Sequence, residues 1–514
     1  MNGRIAAIVR ADVLTRFRRL STVVVFLLLS ATAYLWVPDP ASGKTIMAIG
    51  GARVLYNSAA LGLSTATLAT IFVGLFGFYV VSNAVQRDVT SRCGFVIAAT
   101  DMRTSEYLFG KFMGNVVFLA TFMGGYMLAA MAMLLVRGEA PLQPLVFARP
   151  YLAVVPSTIV FVSVIAILFE SIPWLSGRFG DVVYFFLWAS VLGVVVNAME
   201  HGAQWARFID FNGFGFLFNW TKETFHTQAM SIGQSSFDRS KALIITPDLT
   251  LTMGGLLARL TSTVAPLPLL GIALVFFHRF DPARVRTAGP KGKRSWSARL
   301  NMLAKPLVRP LVSIAMRGGS SPSLLRAAMS DALITISSYP VFALFFVFVA
   351  IGAFAGADIL SIGFLFAGIF IADVASRDRR AGTLGFVWSS PLLQPRFVLW
   401  KLMSSTIVAA TMLTPCLVRA AITRPVALPA LIVACLFVAA MATGLGVISG
   451  NPKTFIVTYL TLWYIAVNDK GANDWTDFAG FFHLPSPTVM AGYAVAGLLF
   501  LAAGEALHRR RLEP

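Results

Sequence analysis

Long runs of apolar residues without a single charged side chain recur along the whole sequence. A helix needs about 20 mostly apolar residues to cross the hydrocarbon core of a bilayer. In the first half, the charge-free windows are Leu20–Val37, Val54–Gln86, Phe112–Val136, Pro150–Phe169, Val182–Met199 and Leu260–Phe277. In the second half, they are Ala332–Ala357, Ile359–Ala372, Leu402–Val418, Pro425–Asn451, Thr454–Asn468 and Phe478–Gly504.

This pattern predicts an all-α polytopic membrane protein with about twelve transmembrane helices. The windows Ile359–Ala372 and Thr454–Asn468 are short, but the charged residues beside them fit the bilayer interfaces. Composition agrees, because 57% of the 514 residues are hydrophobic and only 13% are charged. A soluble protein of this size cannot cover its surface with so few polar side chains.

Lys and Arg fall unevenly on alternate loops, and this predicts the orientation, since cytosolic loops collect positive charge. With the N-terminus in the cytosol, most of the 42 basic residues are cytosolic, whereas the 23 acidic residues divide almost evenly. An even number of spans then places both termini in the cytosol, in a protein integral to the bacterial inner membrane. The net charge of +19 reflects this topology, and no nucleic-acid partner is expected because no soluble basic domain is present.

The chain divides into two similar halves of six predicted spans, residues 1–280 and 321–514. Between them, residues 281–320 are rich in Lys, Arg and Pro, which predicts a cytosolic linker that contacts anionic lipid. Each half is preceded by a predicted interfacial helix, Met1–Leu20 or Ser321–Asp331. In the first of these, apolar positions alternate with arginines, as in a helix that lies in the headgroup plane.

The loop after the second span of each half carries a related pattern of an Arg-x-Gly step, a small hydroxyl residue and a Lys directly before the next span. In the first half, the residues of interest are Arg87, Asp88, Arg92, Gly94 and Lys111. In the second half, they are Arg377, Asp378, Arg380, Gly382, Thr383, Ser390, Pro391 and Lys401. When the two Arg-x-Gly steps are aligned, the first copy is two residues shorter.

The second of these loops resembles the first cytosolic loop of the permeases of type-two ATP-binding-cassette (ABC) exporters. In that family, an acid precedes Gly-Thr-Leu by four residues, Thr/Ser-Pro and a basic residue follow, and the loop forms the coupling helix that docks on the ATPase. Asp378 and Gly382 stand at the acid and glycine positions. The first copy has Thr90 at the position of the acid and Asp101 at that of the proline, so weaker coupling is expected there.

The resemblance implies the permease subunit of an ABC exporter, with two six-span halves fused in one chain. It further implies two copies of a separate ABC-class ATPase that binds ATP and Mg, and it assigns the loop residues to coupling. The sequence has no G-x-x-x-x-G-K-[ST] run, and the Gly-Lys cluster at 289–295 has the wrong spacing. The chain itself is therefore expected to be no enzyme and to bind no cofactor or metal.

The predicted external segment Glu200–Arg259 is too aromatic for a solvated loop. Aromatic rings favour the bilayer–water boundary, so this segment is expected to lie there. We predict that it caps the exit of the pathway, and a plain aromatic belt is the alternative. The proposed gate residues are Phe211, Phe214, Phe216, Phe218 and Trp220. Membrane lipid surrounds the spans, and the low charge of the spans favours an amphipathic cargo such as a peptide, a lipid or a lipid-linked glycan.

Two other functions fit the same span pattern. A twelve-span secondary transporter of the major facilitator type has a similar acidic and basic loop motif. Against it stand the long external segment, the leading arginine-rich helix and the lack, in the predicted spans, of the buried acids and arginines that proton coupling requires. A membrane anchor that transports nothing is the third alternative.

Overall fold

A computed structural model describes residues 3–18, 20–227, 229–277, 280, 323–338 and 341–512. The chain forms two compact units, Met1–Thr287 and Ala288–Pro514, and each is described by itself. The predicted basic linker, 281–320, lies outside the described residues.

Both units are mostly helical. The helices of the first unit are α1 (Gly3–Phe17), α2 (Leu20–Trp36), α3 (Ser58–Phe72), α4 (Phe78–Val81), α5 (Ala84–Thr90), α6 (Cys93–Ala98), α7 (Thr104–Arg137), α8 (Pro144–Ser171), α9 (Arg178–Glu200), α10 (Phe214–Phe225), α11 (Met253–Val264) and α12 (Leu269–Phe276). The helices of the second unit are α13 (Leu324–Ser338), α14 (Val341–Phe354), α15 (Leu360–Ile371), α16 (Arg377–Ala381), α17 (Leu384–Trp388), α18 (Phe397–Thr423), α19 (Leu428–Ser449), α20 (Pro452–Asp469) and α21 (Pro487–Leu512).

Within the described ranges, eight helical segments are long and apolar enough to cross a membrane, or nine if the bent pair α13 and α14 counts as one span. These eight are Ser58–Thr90, Thr104–Arg137, Pro144–Ser171, Arg178–Met199, Met253–Phe276, Phe397–Thr423, Pro425–Ser449 and Pro487–Leu512. The prediction of a polytopic helical membrane protein is confirmed at this level. The finer prediction of twelve spans in two repeats stays a prediction.

The second predicted span of the first unit is a broken helix. Asn57 caps α3 by accepting a hydrogen bond from the Ala60 N–H at 2.8 Å. The helix then widens into a π-helical turn at Val73–Gly77, a feature that recurs at functional sites. Glycine is needed inside this turn, because a Cβ at Gly74 would lie 2.7 Å from Nε1 of Trp188.

A small antiparallel sheet corrects the prediction that the fold is purely helical. Its strands are β1 (Lys44–Ile49), β2 (Ala52–Arg53) and β3 (Met230–Ser236), in the order β2-β1-β3. Gly50 and Gly51 turn β1 into β2 with positive φ angles of 57° and 80°, a conformation that glycine adopts without steric cost. An apolar run followed by Gly-Gly is a hairpin signal, so the sequence did carry the information.

Candidate coupling site

The loop after the second predicted span folds into a pair of short helices in each unit. The first helix pair is α5 with α6, and the second helix pair is α16 with α17. A single residue in the left-handed conformation forms the turn of each pair, Arg92 with a φ of 61° and Gly382 with a φ of 71°. These two residues therefore hold the same position in the two units.

This equivalence corrects the predicted alignment of the two loops. The turn residues are 290 positions apart (382 − 92), and the same offset relates Asp88 to Asp378 and Lys111 to Lys401. The first copy is thus neither shorter than the second nor lacking its acid. The alignment through Arg-x-Gly was wrong by two residues, because the backbone turn and not the local residue pattern sets the correspondence.

A buried cluster of charges holds the first helix pair to the leading helix α1. Asp12 of α1 pairs with Arg16 at 2.7 Å, with Arg87 at 2.8 Å and with Lys111 at 3.2 Å. Lys111, at the base of α7, also pairs with Asp88 at 2.9 Å. One carboxylate of the leading helix thereby joins the loop and the following span.

The second unit repeats this arrangement with its own residues. Asp331 of the leading helix α13 pairs with Arg377 and, at 3.0 Å, with Lys401 at the base of α18. Lys401 also pairs with Asp378 at 2.5 Å. Arg377 donates a further hydrogen bond to the Thr335 hydroxyl at 2.9 Å. The same Asp–Arg–Lys–Asp network is thus built twice.

Both lysines are inaccessible, since Lys111 is 5% and Lys401 is 0% exposed. They hold the helix pairs from inside the unit and offer no surface to a partner. The two lysines lie in α7 and α18, each one residue before a predicted apolar window, Phe112–Val136 or Leu402–Val418. A buried ion pair adds little net stability, but the loss of one partner costs about 3–5 kcal/mol.

The two clusters differ at one pair of positions. Arg16, one turn after Asp12, donates a hydrogen bond to Asn115 of α7 at 2.6 Å. One turn after Asp331 stands Thr335, and the residue 290 positions after Asn115 is Ser405. The first cluster therefore contains an additional cation and its amide acceptor, whereas two small hydroxyl residues replace them in the second.

The outer surface of each helix pair presents one large apolar side chain to solvent. Val96 is 70% exposed and Phe386 is 81% exposed, and they are again 290 positions apart. Arg92, Arg380 and Thr383 are also exposed beside them. The two helix pairs therefore share an exposed apolar residue at equivalent positions, with at least one exposed arginine on each pair.

The remaining predicted loop residues divide between surface and packing roles. Gly382 and Pro391 are exposed, Ser390 is half-buried, and Gly94 is buried. A Cβ at Gly94 would lie 2.5 Å from the Phe280 ring, so glycine allows the first helix pair to pack closely. Phe280 in turn contacts Tyr107 at 5.3 Å between ring centroids.

Two further contacts fix the ends of the first loop. The carboxylate of Glu170, at the end of α8, accepts hydrogen bonds from the backbone N–H groups of residues 83, 84, 85 and 86. At the other end, Arg4 pairs with Asp101 at 2.7 Å on the surface. This hydrogen bond and the Arg4 charge lower the pKa of Asp101 below its ordinary value.

The predicted gate residues lie in a packed segment. Phe211 stacks on Phe161 of α8 at 4.5 Å, and its carbonyl oxygen accepts hydrogen bonds from Ser157 and Thr158. Trp220 is buried, while Phe214, Phe216 and Phe218 are half-buried. Their role as a gate stays a prediction.

A buried ion pair that the sequence analysis missed anchors this segment. Arg259 of α11 pairs with Asp210 at 3.4 Å and donates to the carbonyl of Ala153 at 3.0 Å. Burial raises the pKa of Asp210, and the Arg259 charge opposes that effect. The Phe216 N–H donates to the same carboxylate at 2.8 Å. Phe211 and its neighbours are thus held between α8 and α11.

The sequence also contains Gly43-Lys44-Thr45, which matches the end of a phosphate-binding loop. Pro38 stands where that motif has its first glycine, and Lys44 begins strand β1 and not a helix. Neither the spacing nor the structure forms a phosphate cradle. Among the described residues, no three His, Cys, Asp or Glu side chains come together as a metal site.

Comparison of the chain with protein-family models, with curated proteins and with solved structures finds no match. A function can therefore be argued only from the residues and geometry of the chain itself.

Proposed function

We propose that this chain is the transmembrane permease subunit of an ABC exporter that moves an amphipathic cargo. A separate ATPase, two copies per chain, supplies the energy and binds ATP and Mg. The helix pairs dock on it from the cytosolic side of the bacterial inner membrane.

The observation that carries this proposal is the duplicated helix pair. A membrane domain driven by a partner needs a rigid surface that the partner can move. In each unit, a buried Asp–Lys–Asp network holds the helix pair to the leading helix and to the next long helix. Each pair presents one exposed apolar residue, Val96 or Phe386, at equivalent positions.

A secondary transporter of the major facilitator type is the alternative. The buried pair of Arg259 and Asp210 supplies an ionisable group inside the first unit, although both residues lie in the predicted external segment and outside the predicted spans. This pair is satisfied by backbone carbonyl and N–H groups, as a structural ion pair is. The exporter proposal is therefore preferred.

Native cysteines allow a direct test of docking. Cys93 lies on the first helix pair and is exposed, whereas Cys416 and Cys435 are buried. A maleimide should therefore label the purified chain at Cys93, and the ABC-class ATPase proposed as the partner should protect that site. The Thr383→Cys variant, in a Cys93→Ser background, provides the matched site on the second helix pair.

Transport is then measured in vesicles that contain the chain with and without the ATPase. We expect ATP-dependent cargo movement that survives collapse of the proton gradient and is lowered by Arg380→Glu. Transport by the chain alone under a pH gradient would establish the facilitator alternative. If the ATPase protects neither cysteine, the exporter proposal is rejected.

A further inference from the structure

A cavity of about 350 Å³ lies beside the small sheet of the first unit, and the chain segments that line it are predicted to be external. Its lining residues are Ala41, Arg53, Phe237, Asp238, Arg239, Lys241 and Leu243. Three of these are cations and one is an acid, so the lining carries a formal charge of +2 (3 − 1). The volume falls within the range of small-molecule sites, about 300–1,000 Å³. Size and charge together favour a small anionic ligand.

Hydrogen bonds to the β1–β2 hairpin hold the loop that supplies two of these cations. The N–H of Asp238 donates to the carbonyl oxygen of Gly51 at 2.9 Å. The ammonium group of Lys241 donates to the carbonyl oxygen of Gly50 at 2.7 Å. Arg239 stands between these two anchored residues. The cations of the loop are therefore positioned beside the sheet before any ligand binds.

Arg239 has the least engaged side chain of the three cations. It is exposed, and its guanidinium makes no hydrogen bond or ion pair with any residue that the structure describes. Gly43 leaves room for it, because a Cβ at Gly43 would lie 3.1 Å from Nη2 of Arg239. A guanidinium can donate to two oxygens of one phosphate group at once. Arg239 is therefore free to form such a bidentate contact.

Arg53 of β2 has a partner for only part of its guanidinium. A terminal nitrogen pairs with the Glu139 carboxylate, which also accepts a hydrogen bond from the Tyr56 N–H at 3.0 Å. The guanidinium lies 5.4 Å from the centre of the Tyr56 ring. Its Nε is buried and meets no hydrogen-bond acceptor among the described residues. Glu139 thus fixes Arg53 in place and leaves a donor unsatisfied.

The one acid of the lining, Asp238, is engaged by its own loop. A carboxylate oxygen accepts hydrogen bonds from the Ser240 N–H at 2.9 Å and from the Ser240 hydroxyl at 2.7 Å. These hydrogen bonds, together with the nearby charge of Lys241, lower the pKa of Asp238 below its ordinary value. The acid stays ionised at neutral pH and shapes the loop, and the cations of the lining still outnumber it.

We propose that this cavity binds the phosphate group of a small organic phosphate ester, either free in solution or as the headgroup of an anionic lipid. Arg239 and Lys241 bind the phosphate oxygens, and Nε of Arg53 supplies a further donor. Phe237 and Leu243 belong to the same lining and provide apolar surface for the organic part of the ligand. The ATPase takes no part in this contact, so binding is measured on the chain alone.

Glycerol phosphate is the probe for a free ester. The purified full-length chain, delipidated in an uncharged detergent, is titrated with it at constant ionic strength, and calorimetry gives the dissociation constant. Arg239→Gln should raise this constant at least about tenfold, because charge-assisted hydrogen bonds are lost. The thermal midpoint of this variant should not change, since the side chain has no partner. Lys222→Gln, at an exposed position of α10 outside the cavity, is the matched control and should change the constant by less than about twofold.

Native mass spectrometry tests the lipid source. The chain is purified from micelles that contain equal amounts of phosphatidylglycerol and phosphatidylcholine, and the bound lipid is counted. Preferential retention of phosphatidylglycerol that Arg239→Gln lowers severalfold supports a lipid ligand. Binding of glycerol phosphate without such retention supports a free ester. If neither probe binds, or if Arg239→Gln and Lys222→Gln bind both probes alike, the cavity is not a phosphate site.

Discussion

Lys401 has no solvent exposure, and its ammonium group lies between two carboxylates, 3.0 Å from Asp331 and 2.5 Å from Asp378. The ammonium is also 3.8 Å from the centre of the Trp400 ring. Two carboxylates and an aromatic face together replace the water that a buried ammonium loses. Each group of this network depends on the others, so single substitutions should have large effects.

The Lys401→Met substitution removes the cation and leaves both carboxylates in place. We expect the free energy of unfolding to fall by about 3–5 kcal/mol, because an uncompensated buried charge remains. The thermal midpoint of the purified protein in detergent measures this loss. Arg380→Met, at an exposed position, is the control and should change stability by no more than about 0.5 kcal/mol. Equal midpoints for the two variants would contradict the assigned network.

Sequence reasoning identified Arg87, Lys111 and their counterparts in the second half, because a basic residue before an apolar span is a local signal. It did not identify Asp12 and Asp331. These acids stand 75 and 46 residues before the arginines that they bind. Nothing local ties a carboxylate on the leading helix to a loop so far along the chain, and only the packing of the helices shows the contact.

At the scale of helices, α1 lies against α7 along a face with two glycines. A Cβ at Gly110 would lie 3.0 Å from Ile8, and one at Gly114 would lie 3.2 Å from the Asp12 carboxylate. Close approach of the two helices is therefore what brings Asp12 into reach of Lys111. The predicted apolar stripe of the first helix gave no indication that Asp12 and Arg16 would be its buried residues.

We expect Gly114→Leu to displace α1 and to break the first charge cluster. Faster proteolysis within residues 1–20 of the purified chain would report the displacement. Gly124→Leu on the same helix is the matched control, since a Cβ there meets no atom within 4 Å. If both variants resist protease like the unmodified chain, the packing of α1 against α7 does not depend on this glycine.

Helix positions followed well from the sequence, whereas the local turns did not. Each predicted apolar window coincides with at least one helix, because a run of apolar residues in a bilayer has no other way to satisfy its backbone. The predicted alignment of the two loops was wrong because the left-handed turn is formed by arginine in one loop and by glycine in the other. The sheet was missed although Gly50-Gly51 follows an apolar run.

At the scale of the whole chain, the eight helices of the described residues that are long enough to span a membrane leave four predicted windows without a full-length helix. Three of these windows correspond to α2, α15 and the bent pair α13 and α14, which are short or interrupted. Length decides whether a single helix crosses the hydrocarbon core. The twelve-span topology therefore needs a direct measurement.

Labelling of two exposed positions in intact cells provides that measurement. Cys93 is predicted to be cytosolic, so an impermeant maleimide should label it only after the cells are opened. Ser240→Cys, in a Cys93→Ser background, places a thiol at an exposed position near the sheet, which is predicted to be external. It should react in intact cells. Labelling of Cys93 from outside would reverse the proposed orientation.

The contact between Glu170 and the start of α5 has a consequence for hydrogen exchange. One carboxylate accepts hydrogen bonds from four successive backbone amides at the start of α5, at distances from 2.6 to 3.1 Å. We expect these amide hydrogens to exchange with deuterium slowly, at a rate set by detachment of the loop from α8. Glu170→Gln leaves only one acceptor oxygen, so exchange in a peptide covering residues 83–86 should quicken. The exchange rate of a few amides would then report how often the first helix pair separates from its own membrane helices, before any partner or cargo is known.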